Sequence, residues 1–380
     1  MENCDVLIVG GGPAGSSCAW ALRRLGVEVM VLDRSEFPRD KICAGWITPQ
    51  IVASLELDLE DYRRARVLQP LQGFNSGLVN GKSVAIRYAQ PISYAIRRCE
   101  FDDYLLRRAG ARLRLGEAFE DAEFAGGAWL VNGAIRARIL VGAGGHFCPV
   151  ARLLGADLGK GEHAITAQEI EVAMTPAQFE QCAVEPQQAE LYFCADLEGY
   201  GWCVRKGNYL NVGLGRTSNH RLPEAVKSFW DGLQVRGHIP GDFVPRFKGH
   251  AYLLYGDSRR PLLGEHSLLI GDAAGLAYNL SGEGIRPAVE SGLLAARVLR
   301  RALDGDVPAA LADYAAQIAL RFGQRPAAPR RAPVPGGWRA RAGRLLVSNA
   351  TFARHVILDR HFLHRQTAAL RPQEGDERYM

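Results

Sequence analysis

The chain has 380 residues, 47% hydrophobic and 23% charged, the balance of a packed globular protein with one large composite domain or two. The net charge of +5 is slight; basic residues gather late, at Arg325, Arg330, Arg331, Arg339, Arg341 and Arg344, but no nucleic-acid-reading motif accompanies them, so no nucleic-acid partner is expected. No apolar run reaches the roughly 20 residues of a membrane-spanning helix, and the first apolar strand begins without the basic flank of a signal peptide, so a cytoplasmic protein is expected.

Disulfides are rare in that compartment. The cysteines stand at 4, 18, 43, 99, 148, 182, 194 and 203 and form no Cys-x-x-Cys pair. Neither a zinc site nor a thioredoxin-like site is expected. His361 and His364 could share a helix face, but two lone histidines fall short of the ligand count of a metal site, and no metal is expected.

Residues 4–9, ending in Val6-Leu7-Ile8-Val9, read as a buried strand. A glycine turn follows, then a helix over 16–25 ended by Gly26, then a second buried strand over 27–32. This is a βαβ unit with a parallel strand pair. Its turn, Gly10-Gly11-Gly12-Pro13-Ala14-Gly15, fits G-x-G-x-x-G. Gly10 permits the tight bend, Gly12 lets backbone approach a pyrophosphate, and Gly15 lets helix and strand pack closely. The amides at the start of the helix, around Pro13 and Ala14, face the anion. Asp33, followed by Arg34, ends the second strand where a carboxylate can accept hydrogen bonds from an adenosine ribose. Together these point to dinucleotide binding.

A loop carries Pro38 and Lys41 to Trp46. Residues 66–96 alternate in short segments between turn glycines, and 101–109 read as a helix. Two strands broken by Gly126-Gly127 span 118–130, and 135–141 form a strand that runs into another glycine turn. Residues 165–215 read as mostly β, with strands over 167–172, 189–193, 201–204 and 209–214. A helix is expected over 223–235, a buried strand over 266–270 and a long helix over 284–303. A Pro/Gly/Arg-rich connector, 325–337, leads to an amphipathic stretch and a polar tail from about Gln366.

The strand over 266–270 delivers Gly271-Asp272-Ala273-Ala274-Gly275. Asp272, at the mouth of this turn, is placed to bind a polyol such as the ribityl chain of a flavin. Ser281-Gly282-Glu283-Gly284-Ile285 then opens the long helix, with amides available to the flavin N1 and C2 carbonyl, where negative charge develops on reduction.

These paired segments resemble the glutathione-reductase-type FAD superfamily, which includes aromatic hydroxylases, flavin-dependent halogenases and geranylgeranyl reductases. Arg98-Cys99-Glu100-Phe101-Asp102 resembles the Arg-x-x-Phe-Asp segment, which implies that Arg98 lies near the flavin and its phosphates. Residues 141–152 resemble the Gly-Ala-Asp-Gly segment, which implies that Gly142 and Gly144 lie at the cofactor. Gly144 stands where that segment has an aspartate, an acid that in the hydroxylases helps NADPH reduction and pyrophosphate binding, so the resemblance implies that NADPH is a poor direct reductant.

Lys41-Ile42-Cys43-Ala44-Gly45 resembles the Lys-x-Cys-Gly-Gly segment of geranylgeranyl reductases. The likeness implies Lys41, Ala44 and Gly45 at the cofactor and Cys43 as a candidate catalytic group. Residues 199–206, followed by Gly213-Leu214-Gly215, resemble their Tyr-x-Trp-x-Phe-Pro…Gly-x-Gly segment, with Val204-Arg205 in place of Phe-Pro. This implies that Tyr200 and Trp202 line a cavity for an isoprenoid. By their own spacing, the two aromatics share one side of a strand and suit either an apolar substrate or the core of a sheet. The halogenase Trp-x-Trp-x-Ile-Pro pattern is absent, as is the Gly-x-Ser-x-Gly of hydrolases.

The expected fold is α/β: a Rossmann-like FAD-binding domain (1–65, 90–160 and 255–310) with an inserted, mainly antiparallel β substrate domain (66–89 and 161–254), and a helical C-terminal segment and tail (311–380). The resemblance implies reduction of carbon–carbon double bonds of an isoprenoid or other apolar small molecule by hydride transfer from reduced FAD. An external donor, NAD(P)H or a redox protein, would reduce the flavin. Two alternatives stay open: an FAD-dependent monooxygenase hydroxylating an apolar or aromatic substrate, and a catalytically silent FAD-binding protein. Residues 338–363 interleave arginines with Leu345, Leu346, Val347, Phe352, Val356, Ile357 and Phe362. That pattern suits either packing against the FAD domain or peripheral contact with the inner face of an anionic membrane.

Overall fold

The computed structural model describes residues 1–159, 161–217, 221–326 and 337–372, with backbone alone at 337–340. β1 (Glu2–Val9) bends at Gly10 into α1 (Pro13–Arg24), which returns the chain to β2 (Val29–Asp33). A loop leads to β3 (Trp46–Ile47), α2 (Pro49–Ser54), α3 (Leu59–Arg63) and the strands β4 (Leu68–Leu71), β5 (Gly73–Leu78), β6 (Ser83–Arg87) and β7 (Ser93–Ile96). Then come α4 (Arg98–Arg108), β8 (Arg112–Leu115), the hairpin β9 (Ala122–Ala125) and β10 (Ala128–Val131), β11 (Ile135–Gly142) and α5 (Pro149–Leu153). The middle of the chain forms β12 (Ile165–Ala173), α6 (Pro176–Gln181), β13 (Gln188–Phe193), β14 (Gly199–Lys206), β15 (Tyr209–Arg216), α7 (Leu222–Val235) and β16 (Lys248–Tyr252). β17 (Leu263–Gly264) and β18 (Ser267–Leu269) precede α8 (Ile285–Asp304), α9 (Val307–Phe322), α10 (Gly337–Val347), α11 (Ala350–Phe352) and a π-helical segment (Ala353–Phe362).

The first sheet has the order β17-β18-β11-β1-β2-β8, with the β9–β10 hairpin attached to β11. β18, β11, β1, β2 and β8 run parallel. Helices cover both faces of such a sheet, so its strands read as unbroken apolar runs: Val6, Leu7, Ile8, Met30, Val31 and Leu32 are all fully buried. This is the expected Rossmann-like layer.

Two glycines let α1 and α8 approach closely behind it. A Cβ on Gly292 would stand 2.5 Å from the Ala14 carbonyl oxygen, and one on Gly15 would collide with the Gly10 carbonyl oxygen. α9 completes this core with Leu311, Tyr314 and Ile318, and the Tyr314 hydroxyl donates to the Leu269 carbonyl at 3.0 Å.

The second sheet has seven strands in the order β16-β12-β15-β14-β13-β5-β6, antiparallel except at β13–β5. Alternation along β14 explains its two faces. Cys203 turns into the core under α7, formed with Val212, Leu214, Phe229 and Trp230. Trp202 and Val204 turn the other way, into a core shared with Trp46 and Phe74. A small third sheet, β3-β7-β4, joins the two layers.

Among the described residues, the amphipathic C-terminal stretch packs on the seven-stranded sheet and not on the parallel-sheet layer. Val347, Ala353, Ile357, Leu358, Phe362 and Leu363 close the second core over the seven-stranded sheet, which has an apolar face that α7 leaves uncovered. Leu345 and Leu346 remain exposed. Most of the connector (327–336), the end of the polar tail (373–380), and the side chains of Trp338 and Arg339 lie outside the described residues. Among the described residues no helix is long and apolar enough to cross a membrane.

Gly292→Val should force α1 and α8 apart and lower stability by about 1–3 kcal/mol, the usual cost of overpacking a tight core. Chemical denaturation would read this as an earlier midpoint. An unchanged midpoint would show slack between the two helices.

Candidate active site

A cavity of about 490 Å³ lies between the glycine turns of the parallel sheet and the inner face of the seven-stranded sheet. Nearly every residue singled out from the sequence lines it. The β1–α1 turn contributes Gly10, Gly12, Pro13 and Ala14, and the end of β2 contributes Asp33 and Arg34. Lys41, Cys43, Ala44 and Gly45 come from the following loop, and Arg98 from the start of α4. Gly144 follows β11, and Asp272, Gly282, Gly284 and Ile285 lead into α8. Tyr200 and Trp202 face it from β14.

Three of the glycines serve packing instead of lining the cavity. Gly15 sits over the Gly10 carbonyl. A Cβ on Gly142 would meet the Leu269 and Val150 side chains at 2.5 and 2.9 Å, and one on Gly271, at φ +58°, would meet Ala14 at 2.9 Å. Gly142 was expected at the cofactor, and Gly271 opens the turn expected to bind it; neither lines the cavity, and both bring its walls together. Gly45 also has a structural reason: at φ +65° its Cβ would stand 2.4 Å from the Ile96 carbonyl oxygen.

Gly12 is different. Its backbone is extended, with φ −73° and ψ −175°, and a Cβ there would meet nothing nearer than the Arg39 guanidinium at 3.5 Å. The fold does not need glycine at this position; a side chain would simply fill the cradle. Asp33 is locked behind it, with Oδ2 accepting from the Gly11 amide at 2.7 Å and Oδ1 from the Ser35 amide at 2.9 Å. Among the described residues no side chain caps α1, which leaves its first amides for an anion.

The opposite turn is braced as firmly. The Gly271 amide donates to Ser291 Oγ at 3.0 Å. Arg260, paired with Glu162 at 2.6 Å, donates to the Asp272 and Ala273 carbonyls. One amide of α8 is taken, since Glu283 Oε1 accepts from Arg286 N at 2.7 Å.

Charge gathers at one end. Arg98 is buried and makes a bidentate pair with Asp102 at 2.8 Å, while Arg39 stands 3.5 Å from the same carboxylate. Against the cost of burial, Asp102 and the Cys43 sulfur hold Arg98 in its charged form. Lys41 is pushed down to about 8 by burial and by Arg98. Burial and Lys41 hold His250 well below its usual range, so the neutral imidazole accepts from the Lys41 ammonium at 3.1 Å.

A polar strip crosses the sheet wall. Trp202 Nε1 donates to Asn211 Oδ1 at 2.7 Å, and Asn211 Nδ2 donates to the Cys43 carbonyl at 3.3 Å. The Cys43 amide donates to Glu169 Oε1 at 2.5 Å. Beside them Glu171 pairs with Lys206 at 2.8 Å and Arg97 at 3.0 Å. The loop carrying Cys43 is thus clamped onto the sheet through its backbone on both sides. The other Glu169 oxygen, Oε2, is buried without a partner among the described residues. Burial pushes this carboxyl up to about 7.

Several of these residues were not picked out from the sequence. His250 and Tyr252 lie on β16, where Lys-Gly-His-Ala-Tyr has no apolar alternation because the strand is a half-exposed edge. For Glu169 a signal existed: alternation that buries Ile170 and Val172 under α7 puts Ala167, Glu169 and Glu171 together on the cavity side.

A family model described as FAD binding domain matches residues 3–57. The menaquinone reductase of Mycobacterium tuberculosis is 32% identical over 325 residues, covering 78% of this chain and 77% of that protein. The chain belongs to the FAD-dependent oxidoreductase family that includes this menaquinone reductase. Digeranylgeranylglycerophospholipid reductase 1 of Methanothermobacter thermautotrophicus is 28% identical over 341 residues, covering 81% of this chain and 80% of that protein. A geranylgeranyl bacteriochlorophyll reductase-like protein from Thermoplasma acidophilum shares the fold at a TM-score of 0.71 and 21% identity, over 85% of each chain. FAD is therefore the cofactor of this flavoprotein, and the open cradle at Gly12 fits its pyrophosphate.

Two outcomes follow for this FAD-dependent oxidoreductase. Gly12→Val should fold with near-parental thermal stability yet lose flavin absorbance, because the side chain occupies cradle rather than core; a yellow variant would refute this use of Gly12. Glu169→Gln should change the pH dependence of unfolding. The native carboxyl titrates near 7, against an ordinary value of 4.5, so the folded state holds its proton more tightly than the unfolded chain. Its contribution to stability is fully present below about pH 4.5 and is lost as pH rises through about 7. The melting temperature of the Gln variant relative to the parent should therefore rise between pH 5 and pH 8; a constant difference would contradict the raised carboxyl.

Proposed function

We propose that the protein reduces carbon–carbon double bonds of an isoprenoid or comparably apolar substrate. The observation that carries this reading is that one cavity is bounded by the dinucleotide cradle on one side and the aromatic face of β14 on the other. The names of the menaquinone and digeranylgeranylglycerophospholipid reductases support it. In this reading the parallel-sheet layer is the FAD-binding part and the seven-stranded sheet the substrate-binding part.

Gly10, Gly12, Pro13 and Ala14 would hold the pyrophosphate, with Asp33 and Arg34 at the adenosine ribose and Asp272 at the ribityl chain. Lys41, Ala44, Gly45, Arg98, Gly144, Gly282, Gly284 and Ile285 would complete the surround. Reduced FAD, when bound, supplies a hydride to one carbon of the double bond. Trp202 and Tyr200 would orient the apolar chain and exclude water. Tyr200 is not the acid: its hydroxyl donates to the Ser281 carbonyl, and burial raises it well above the usual phenol range. Cys43 would present its thiol from a loop whose backbone is immobilised by Glu169 and Asn211.

Electrons would come from an external donor, NAD(P)H or a redox protein. Because Gly144 stands where hydroxylases have an acid, anaerobic NADPH should bleach the flavin slowly; rapid bleaching would refute that inference. Leu345 and Leu346, exposed near Arg341, are the residues with which the protein would touch a membrane while remaining cytoplasmic.

The test of the reaction is anaerobic. Chemically reduced protein, mixed with a panel of prenylated lipids and prenylated quinones, should regain oxidised flavin absorbance and yield product with two added hydrogens. Reoxidation by oxygen alone, with an oxygen atom in the product, would identify a monooxygenase instead.

A further inference from the structure

The site as described lacks an acid for the carbon that does not receive the hydride. We propose that Glu169 is that acid: a neutral carboxylic acid, fixed by the Cys43 amide through Oε1, that presents Oε2–H to the ligand in the cavity and gives up its proton there. The inference rests on the double-bond reduction proposed above.

The geometry makes the case in steps. Glu169 lines the cavity from β12 and is only 4% exposed. Its Oε1 is committed to the Cys43 amide at 2.5 Å. Its Oε2 has no partner among the described residues, although it is buried. An orphaned buried polar atom costs on the order of 1–3 kcal/mol, and on a residue that lines a cavity a ligand is the natural partner to complete it. Its surroundings set the charge state. Lys206 of β14 faces the carboxyl, but Glu171 takes the Lys206 ammonium at 2.8 Å and also holds Arg97. Lys41 faces it from the loop and is engaged with His250 of β16. Asn211 of β15 is occupied by Trp202 and Cys43. Burial outweighs the pull of Lys206, the Cys43 amide and Lys41, and the carboxyl is pushed up to about 7.

The step balances. The Oε2–H bond breaks, and the π electrons of the alkene are replaced by two C–H bonds, one to this proton and one to the hydride supplied by reduced flavin. Glu169 is left as a carboxylate and is reprotonated from water when the product leaves. Glu283 is the other carboxyl in the cavity with a raised titration, also to about 7 through burial. Its oxygen caps α8 at Arg286, so it serves here as the control.

The experiment uses the FAD-loaded protein. Infrared titration should show neutral-acid carbonyl intensity that disappears as pH rises through about 7, from Glu169 and Glu283 together; Glu169→Gln should remove one component and leave the other, and Glu283→Gln should do the reverse. Glutamine keeps the acceptor for the Cys43 amide and a donor at the Oε2 position but cannot release a proton. Anaerobic alkene-dependent reoxidation should therefore fall about 100-fold or more in Glu169→Gln, the usual worth of a positioned acid, with FAD content unchanged and part of the rate kept in Glu169→Asp. In the wild type the same rate should decline above about pH 7.

Neutral-acid intensity at pH 6 that is the same in wild type and Glu169→Gln, a rate flat from pH 6 to 9, or a Gln variant within threefold of wild type would each overturn the proposal and leave the proposed reaction standing. If the wild type reduces no double bond at all, the proposed reaction fails and the proton-transfer role with it. The infrared component lost in Glu169→Gln then decides separately whether Glu169 is a neutral acid.

Discussion

Everything at the site depends on how closely α1 and α8 approach each other. They begin at turns that lie far apart in the chain, and both turns must open on one place to hold a single dinucleotide. Backbone contact makes that possible: Gly292 lets α8 lie against the Ala14 carbonyl, Gly15 lets α1 lie on the turn that follows β1, and Gly271 lets the chain after β18 lie close to Ala14 and Ala288. Dense packing leaves such contacts little room to adjust. The cradle at Gly12, open where a side chain could stand, is therefore backed by glycines that have no such freedom.

The second wall is built on a different economy. A face of a β-sheet turned toward a cavity would ordinarily be apolar, yet this one carries Glu169, Glu171, Lys206 and Asn211, all largely shielded from water. Burying such groups is unfavourable unless each finds a partner. The strip satisfies itself by gripping the backbone of the Cys43 loop, the segment that lies between the sheet and the cradle. The loop needs the sheet for its amide and carbonyl, and the sheet needs the loop for its carboxylate and amide. Glu169 Oε2 is left over from that exchange.

What could be read from the sequence follows from these same forces. The βαβ unit was legible because a doubly covered parallel strand is an unbroken apolar run and because the glycine spacing has a mechanical meaning. Asp33, Asp272 and the aromatic pair on β14 were legible for similar local reasons. The roles of Gly142 and Gly271 were not, since a glycine that admits a neighbour looks the same in sequence as one that admits a ligand, and only the Cβ environment separates them. β16 was hidden because an edge strand need not alternate. The partner of the C-terminal stretch was hidden as well: its apolar stripe promises burial without saying against which layer, and the open face of the seven-stranded sheet exists only once α7 has taken the other. For Glu169 the alternation was visible; what was missing was the knowledge that this face looks onto the Cys43 loop.

The covering of that open face ties the apolar end of the cavity back to its cofactor end. The Arg286 amide, in the first turn of α8, is held by Glu283, while its buried guanidinium donates to the carbonyls of His364, Thr367 and Ala368. Just before that anchor, Phe362 packs edge-on against Tyr200 at 5.2 Å. Tyr200 in turn donates its hydroxyl to the Ser281 carbonyl, in the glycine turn that opens α8. The contacts form a closed ring: helix start, tail, aromatic cover, sheet wall and helix start again. In a close-packed ring no member shifts alone. In the proposed reading, an apolar chain entering past Tyr200 would press on the same turn that would supply Gly282 and Gly284 to the cofactor side. The two halves of the site share one mechanical frame although they are built from opposite ends of the sequence.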